Sequence, residues 1–452
     1  MPMSKVKKLL GTGCGTSLMV LVGLGGILWI RGNAAPEYKI PEWKLPSPNA
    51  YDTLGAARKL EVSKLGKAAV SPVGNYDEKQ GKYIYPPQPL EDRKALLEKN
   101  QAAIAKLREA LAQDFATPNA PGDLNALAND FPRFDFPRFA DLRELARLLF
   151  FASRTYADLG QQDKAAECAL DGIQMGMLIS HRSYIIGHLV GVACEAIVRS
   201  AFWKRADMLD AKTARSAVIR LEQLEKKRVS LESIIACERD YSQTISYSTF
   251  RGANAWQLAD GEHEVEETAQ KKAANLKEQV VGTAKILWYS KKRIFADNHR
   301  YLTEVIALSK LPYDPKRPLP RKSLDPVGSS SLELFRELQM KDLATRAETR
   351  LALLCLALRA YKLEKRSYPA TLTELVTSGS LKSLPDDPFA PRFGQSFGYR
   401  RESGDKLTLW SCGPDGDDDN GRAIVAKRDD GTPRRFVQLG DEGDMVARVN
   451  TY

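Results

Sequence analysis

Apolar residues recur at helical spacing along most of the chain, and this pattern predicts a mainly α-helical protein. Asn49 is placed to cap a first helix that runs to about Leu60. The same periodicity predicts further helices over residues 90–111, 139–160, 163–173, 175–203, 211–226, 231–247, 265–281, 295–309 and 332–363.

Proline, glycine and serine divide these helices into regions. We expect a cytoplasmic tip and transmembrane anchor over residues 1–32, then a Pro-rich spacer with a short helix over 33–89. An α-helical domain follows over 90–311, a Pro/Ser-rich linker over 312–331, and a C-terminal module over 332–452.

The segment from Leu9 to Ile30 carries no charge and is about as long as a membrane-spanning helix. Lysines precede it and only Arg31 closes it, which places the N-terminus in the cytoplasm and the body in the exoplasmic or periplasmic space. Small residues at 33–35 leave a cleavable signal as the alternative. The length favours an uncleaved single-pass anchor in the cell membrane.

Charge and cysteine content exclude several classes of function. The 452 residues have a net charge of +10, but the basic residues are dispersed and lack the interleaved aromatics of a nucleic-acid site. The six cysteines show no CxxC pair, which argues against a zinc site or a disulfide framework. No nucleic-acid partner is expected.

Residues 175–203 are strongly apolar but are interrupted by Arg182, His188, Glu195 and Arg199. Ionisable residues are costly inside a bilayer. We therefore predict a helix buried in protein rather than a second membrane span.

An acidic stretch near the C-terminus offers the clearest chemistry. Asp415, Asp417 and Asp419 alternate among glycines, and such a turn can direct carboxylates towards one Ca²⁺ ion. An acidic surface turn is the alternative, since the same residues are common in turns. It is not an EF-hand loop, because Asn420 and Ala426 stand where that loop needs Gly and Glu.

The segments around this stretch follow a recognisable order. A long helix leads to Ser367-Tyr368-Pro369, a short helix near Leu372, the acidic-Pro-aromatic run 384–389, a strand over 406–410, and then the acidic turn. This order resembles the C-terminal body of the major pseudopilin family of type II secretion systems. The resemblance covers roughly the last hundred residues, and its separate pieces are common motifs.

The resemblance implies an α+β module in which a long helix packs on a small antiparallel sheet and a loop binds structural calcium. Ser411, Asp415 and Asp417 fall on the family's calcium loop, and Asp444 matches its late acidic ligand. Asp419 completes the candidate set. The N-terminus lacks the family's Phe and Glu beside the leader, so we interpret the region as a pilin-like module rather than a filament subunit.

The helical region also resembles tetratricopeptide-type helix pairs around Gly160, although no second copy recurs at a fixed period. Helical arrays offer extended surfaces to protein partners. We therefore expect a membrane-anchored scaffold or interaction protein of the cell envelope, not an enzyme, with no small-molecule substrate identified.

Two alternative functions remain open. The pilin-like module is compatible with a component of a type II secretion or pilus-like machine. An envelope hydrolase using His188 or His263 is the second, although the chain has no nucleophile elbow, phosphate loop or dinucleotide fingerprint.

Overall fold

The structure is a computed structural model. It describes residues 30, 34, 36–41, 44–62, 75–77, 82–84, 89–117, 139–203, 205–252, 290–321, 331–402, 406–425, 427, 434 and 437–449. Over these residues the chain is mainly helical and carries a small three-stranded antiparallel sheet. This confirms the predicted fold class at that level.

The helices are numbered in chain order. They are α1 (Ala50–Leu60), α2 (Leu90–Lys99), α3 (Gln101–Ala110), α4 (Phe139–Asp158), α5 (Gln162–Ile179), α6 (Ile185–Trp203), α7 (Ala211–Lys227), α8 (Leu231–Gly252), α9 (Lys291–Ser309), α10 (Ser331–Lys365) and α11 (Thr373–Thr377). A 3₁₀ turn, Ala206–Met208, separates α6 from α7.

The strands form two separate sheets. β1 (Asn75–Asp77) and β2 (Lys82–Ile84) make an antiparallel hairpin inside the stretch predicted as part of the spacer. β3 (Gly398–Arg401), β4 (Leu407–Ser411) and β5 (Met445–Val446) form the three-stranded sheet, with β4 in the middle and both pairings antiparallel. The chain thus returns to β4 only with its last described strand.

Several helix ends agree with their local sequence signals. The Asn49 side chain accepts a hydrogen bond from the Tyr51 amide at the start of α1, as predicted for a capping residue. Asp210 caps α7 in the same way through the Thr213 amide. The predicted helix over 265–281 lies outside the described residues.

Two predicted helices are each divided in the structure. The helix expected over 90–111 breaks at Asn100, whose side chain donates to the Val62 carbonyl at 3.0 Å and accepts from the Val62 amide at 2.8 Å. The helix expected over 175–203 breaks after Ile179, where Arg182 has a φ of 41°. At Asn100 the chain gains side-chain contacts, and after Ile179 it makes a turn. The spacing of apolar residues predicts neither.

The α5–α6 contact is close because both helices carry glycine where they meet. A Cβ on Gly176 would lie 2.6 Å from the Gly191 carbonyl oxygen, and a Cβ on Gly191 would lie 2.4 Å from the Gly176 oxygen. Side chains on either residue would force the backbones apart. Helix α4 packs against both α5 and α6, so the three form a three-helix bundle.

The long helix α10 is the central element of the C-terminal half. It packs against α6 and α7 on one side and contacts β4 on the other. One hydrophobic cluster therefore continues from Leu145 and Ile173 in the three-helix bundle through Leu354 to Leu409 in the sheet. The expected packing of a long helix on a small sheet is present.

Charged residues are buried where α6 and α10 meet. Arg199 of α6 is 1% exposed and forms an ion pair with Glu348 of α10, and its Nη1 donates to the Thr349 hydroxyl at 3.3 Å. Glu195, also 1% exposed, accepts two hydrogen bonds from Arg228 at 2.9 and 2.8 Å. Glu195 and Arg199, two of the charged residues that interrupt the apolar pattern of 175–203, are thus paired inside protein.

No helix in the described part of the chain is long and apolar enough to cross a membrane. The predicted anchor lies outside the described residues except for Ile30.

The Pro-rich segment after the predicted anchor is bound to the helices. The Tyr38 ring lies 5.8 Å from the Tyr247 ring of α8 and 5.3 Å from the Phe295 ring of α9. Further along, the Lys44 carbonyl accepts from Arg182 Nη1 at 3.2 Å. Tyr38 and Lys44 therefore attach this segment to the helical body.

We expect Arg199→Met to lower the free energy of unfolding by about 3–5 kcal/mol, because it leaves Glu348 buried without its cation. Adding Glu348→Gln should recover part of the loss. Arg215→Met removes an exposed pair with Glu364 between α7 and α10, and should cost at most about 1 kcal/mol. Urea unfolding of the variants measures the difference, and equal losses for both arginines would contradict this account.

The buried carboxyl group of Asp342 should contribute to the loss of folding stability at acidic pH. Burial alone would raise the pKa of its carboxyl, but Arg346 and His188 outweigh burial and hold the pKa well below the ordinary 3.8. A depressed folded-state pKa contributes stability above the unfolded value, and this contribution is lost as pH falls through the folded value. We therefore expect Asp342→Asn to flatten the loss of stability below about pH 4, measured by denaturation at a series of pH values.

Candidate functional site

The acidic loop starts at the end of β4 and is closed by the segment before β5. Ser411 at its start and Asp444 at its closure are both 0% exposed. Gly413 has a φ of 77°, and a Cβ there would lie 2.3 Å from the Gly443 carbonyl oxygen. Glycine is therefore required where the two backbones touch.

Asp387 holds the start of the loop. Its carboxylate accepts from the Ser411 hydroxyl at 2.6 Å, the Cys412 amide at 2.8 Å and the Phe389 amide at 3.0 Å. Burial raises the pKa of Asp387, and these donors oppose the rise. The side chain links the acidic-Pro-aromatic run directly to the loop.

Asp444 holds the far side of the loop. Its two carboxylate oxygens accept from the Asp419 amide at 3.2 Å and the Gly421 amide at 2.6 Å. Burial is the largest cause that raises the pKa of Asp444 to about 6, the two amides lower it, and the neighbouring Asp418 and Asp419 raise it further. The buried carboxyl group of Asp444 therefore lies near those of Asp418 and Asp419.

Asp415 closes the loop in the opposite direction. Its carboxylate accepts from the Gly443 amide at 2.7 Å and from the Asp417 amide at 3.2 Å. Asp415 and Asp444 thus bind each other's segments reciprocally. The Asp417 side chain itself is exposed.

The remaining acidic residues contact the sheet and an arginine. Asp418 accepts from the Trp410 indole Nε1 at 2.8 Å. Asp419 accepts from Arg422 at 2.8 Å. Each carboxylate of the stretch except that of Asp417 therefore has a hydrogen-bond donor nearby in this arrangement.

The donor chemistry of the loop suits a hard cation, because Ca²⁺ prefers carboxylate, hydroxyl and carbonyl oxygens. Among the residues that the structure describes, however, no three His, Cys, Asp or Glu side chains are grouped as a metal site. The carboxylates of Asp415 and Asp444 accept hydrogen bonds from backbone amides instead, and that of Asp419 from Arg422. Calcium binding therefore stays a prediction.

The structure brings Ser411, Asp415, Asp419 and Asp444 into one closed loop and leaves Asp417 at its surface. Sequence reasoning assigned no role to Asp387. Its signal is the aspartate two residues before Phe389, where a side chain can accept the amide of a tight turn. Its contacts with Ser411 and Cys412 depend on the fold.

The hydrolase alternative depends on the surroundings of His188. Its Nδ1 lies 3.0 Å from the Ser180 hydroxyl, and its Nε2 lies 3.4 Å from an Asp342 carboxylate oxygen. The three residues are each less than a tenth exposed, and Asp342 also accepts from Arg346 at 2.7 Å. The contacts join α6 to α10. His263 lies outside the described residues.

Comparison with known proteins gave no family model, no curated protein and no solved structure that matches this chain.

We expect Asp387→Ala to destabilise the protein by about 1–3 kcal/mol, because the buried Ser411 hydroxyl and Cys412 amide lose their acceptor. Asp386→Ala is the matched control, since that side chain is exposed and only its backbone oxygen is used, by Arg350. Thermal melting of the variants measures the difference. If the two neighbours proved equivalent, Asp387 would not hold the loop.

Proposed function

We propose that the protein is a membrane-anchored scaffold or interaction protein of the cell envelope, whose C-terminal module resembles a pseudopilin body and binds calcium as a structural ion. The N-terminal segment from Leu9 to Ile30 would hold it in the membrane, with the body on the exoplasmic or periplasmic side.

The observation that carries the calcium proposal is the enclosure of Asp444. Its carboxyl group is fully buried, and its pKa is raised to about 6 by burial and by Asp418 and Asp419. Clustered carboxylates repel one another, and a cation bound among them would offset that repulsion. This supports an ion at the closure of the loop.

The residues that would hold the ion are Asp415, Asp419 and Asp444, with Ser411 at the start of the loop, whose hydroxyl donates to Asp387 in this arrangement. Each of these carboxylates accepts hydrogen bonds in the described arrangement. Calcium would therefore compete with amide and guanidinium donors for the same oxygens. When bound, the ion would supply positive charge that ties the loop to the segment before β5, with no chemical step.

The scaffold role is supported by the mainly helical body, because helical assemblies commonly bind protein partners. The hydrolase alternative has less support, because His188 is 3% exposed and connects two helices. The alternative of a secretion or pilus-like component rests on the pilin-like module. An intact N-terminus and absence from sheared filaments would remove that alternative.

We expect calcium to raise the melting temperature of the protein. A structural ligand stabilises the folded state increasingly with its free concentration, by about 2.7 kcal/mol at a hundredfold excess over the dissociation constant. Asp444→Asn and Asp415→Ala should abolish the shift. Thermal melting with added calcium and with chelator is the measurement.

Glu442→Gln is the control for general electrostatic effects, because it removes an exposed carboxylate two positions from Asp444. It should retain the calcium shift. If calcium has no effect on the unmodified protein, or if Glu442→Gln abolishes the shift equally, the loop is an acidic surface turn and the calcium proposal fails.

A further inference from the structure

A groove of about 770 Å³ lies between α5 and α7, beside the 3₁₀ turn. The two helices pack against each other, and α3 contributes Arg108 at one side. Its volume is within the range of ligand sites in proteins. The groove is distant in sequence from the acidic loop, and none of its lining residues belongs to the proposed calcium site.

The floor of the groove is fixed by one buried carboxylate. Asp171 is 3% exposed and accepts from Arg108 Nε at 2.7 Å and from Arg220 Nη2 at 2.6 Å. Arg220 also donates to the Gln174 amide oxygen at 2.9 Å. Both guanidinium groups are therefore held by the same carboxylate at the base of the groove.

The two walls carry opposite charges. On the α5 side, Asp163 and Glu167 line the groove, and Arg108 lies against Asp171 and Glu167. On the α7 side, Lys212 and Arg220 line it. The net charge is therefore negative along α5.

The α7 wall also contains one acidic residue and an apolar strip runs between the walls. The Asp210 carboxylate accepts from the Thr213 amide at 2.7 Å, so it serves the start of its own helix. Ala166, Leu170 and Ala217 form the strip, and each is less than a tenth exposed. Met208, which is 62% exposed, extends it at the rim.

We propose that this groove binds an extended peptide segment in which basic and acidic residues alternate. Successive side chains of an extended chain point to opposite sides. Every second residue would therefore face the acidic α5 wall, and the residues between them would face the basic α7 wall. The side-chain stems would cover the exposed Met208 at the rim.

The groove is the surface through which the proposed scaffold would hold a partner, so this inference rests on the proposed function. The segments beside the groove and beside the acidic loop are also linked by a hydrogen bond. Arg448, which follows β5, donates from Nη2 to Asp207 at 2.7 Å. Asp207 precedes Met208 at the rim, and Asp444 precedes β5 by one residue.

The test is fluorescence anisotropy of the full chain with an octapeptide of alternating Lys and Glu. Its control is an octapeptide of the same composition in which all lysines precede all glutamates. The alternating peptide should bind at least about fivefold more tightly, a difference of about 1 kcal/mol. Equal binding of the two peptides, or no saturable binding of either, would overturn the proposal.

Two variants test the walls separately. Glu167→Lys and Lys212→Glu reverse exposed charges on α5 and α7, and each should weaken the alternating peptide about fivefold. Glu98→Lys reverses an exposed charge on α2 outside the groove and should leave the affinity within about twofold. An equal loss with Glu98→Lys would indicate unspecific attraction and overturn the assignment.

Melting with added calcium distinguishes a failure of this inference from a failure of the proposed function. Failure of peptide binding together with an intact calcium-induced rise in melting temperature would reject the groove alone. Peptide binding without any calcium-induced rise would reject the calcium-stabilised module and retain the groove.

Discussion

The buried ion pairs between α6, α7 and α10 are the constraint on which the rest of the structure depends. Arg199 is held by Glu348, and Glu195 is held by Arg228, in an interior that excludes water. A charge that loses its partner there is costly, whereas apolar side chains tolerate small displacements. A slip of α10 by one turn along α6 would separate Arg199 from Glu348. The network therefore fixes the register of α10, and α10 in turn positions the sheet.

The same network reaches the acidic loop. Arg350 of α10 donates to Glu225 at 3.1 Å and to the Asp386 carbonyl at 2.8 Å. Asp387, the next residue, accepts from Ser411 and Cys412 at the start of the loop. The loop is thus attached to the helical body at its beginning and to the segment before β5 at its closure. A loop with many glycines needs both attachments to keep one conformation.

Local sequence signals predicted the elements better than their contacts. The Asn49 cap follows from its residue type, and the helices α7 and α10 follow from apolar spacing. The break at Asn100 depends on Val62, which lies far away in sequence, so no local pattern specifies it. In the candidate site, the alternation of aspartates identified the cluster, but the amides that engage Asp444 become neighbours only after folding.

The bound Pro-rich segment changes how the body responds to mechanical load. Tyr38 packs on α8 and α9, and the Lys44 carbonyl is held by Arg182. A pull on the chain before residue 36 would therefore act as shear along two helices before it reached α1. A free tether would absorb the same pull by extension. Helices α8 and α9 would thus receive the force through packed aromatic rings.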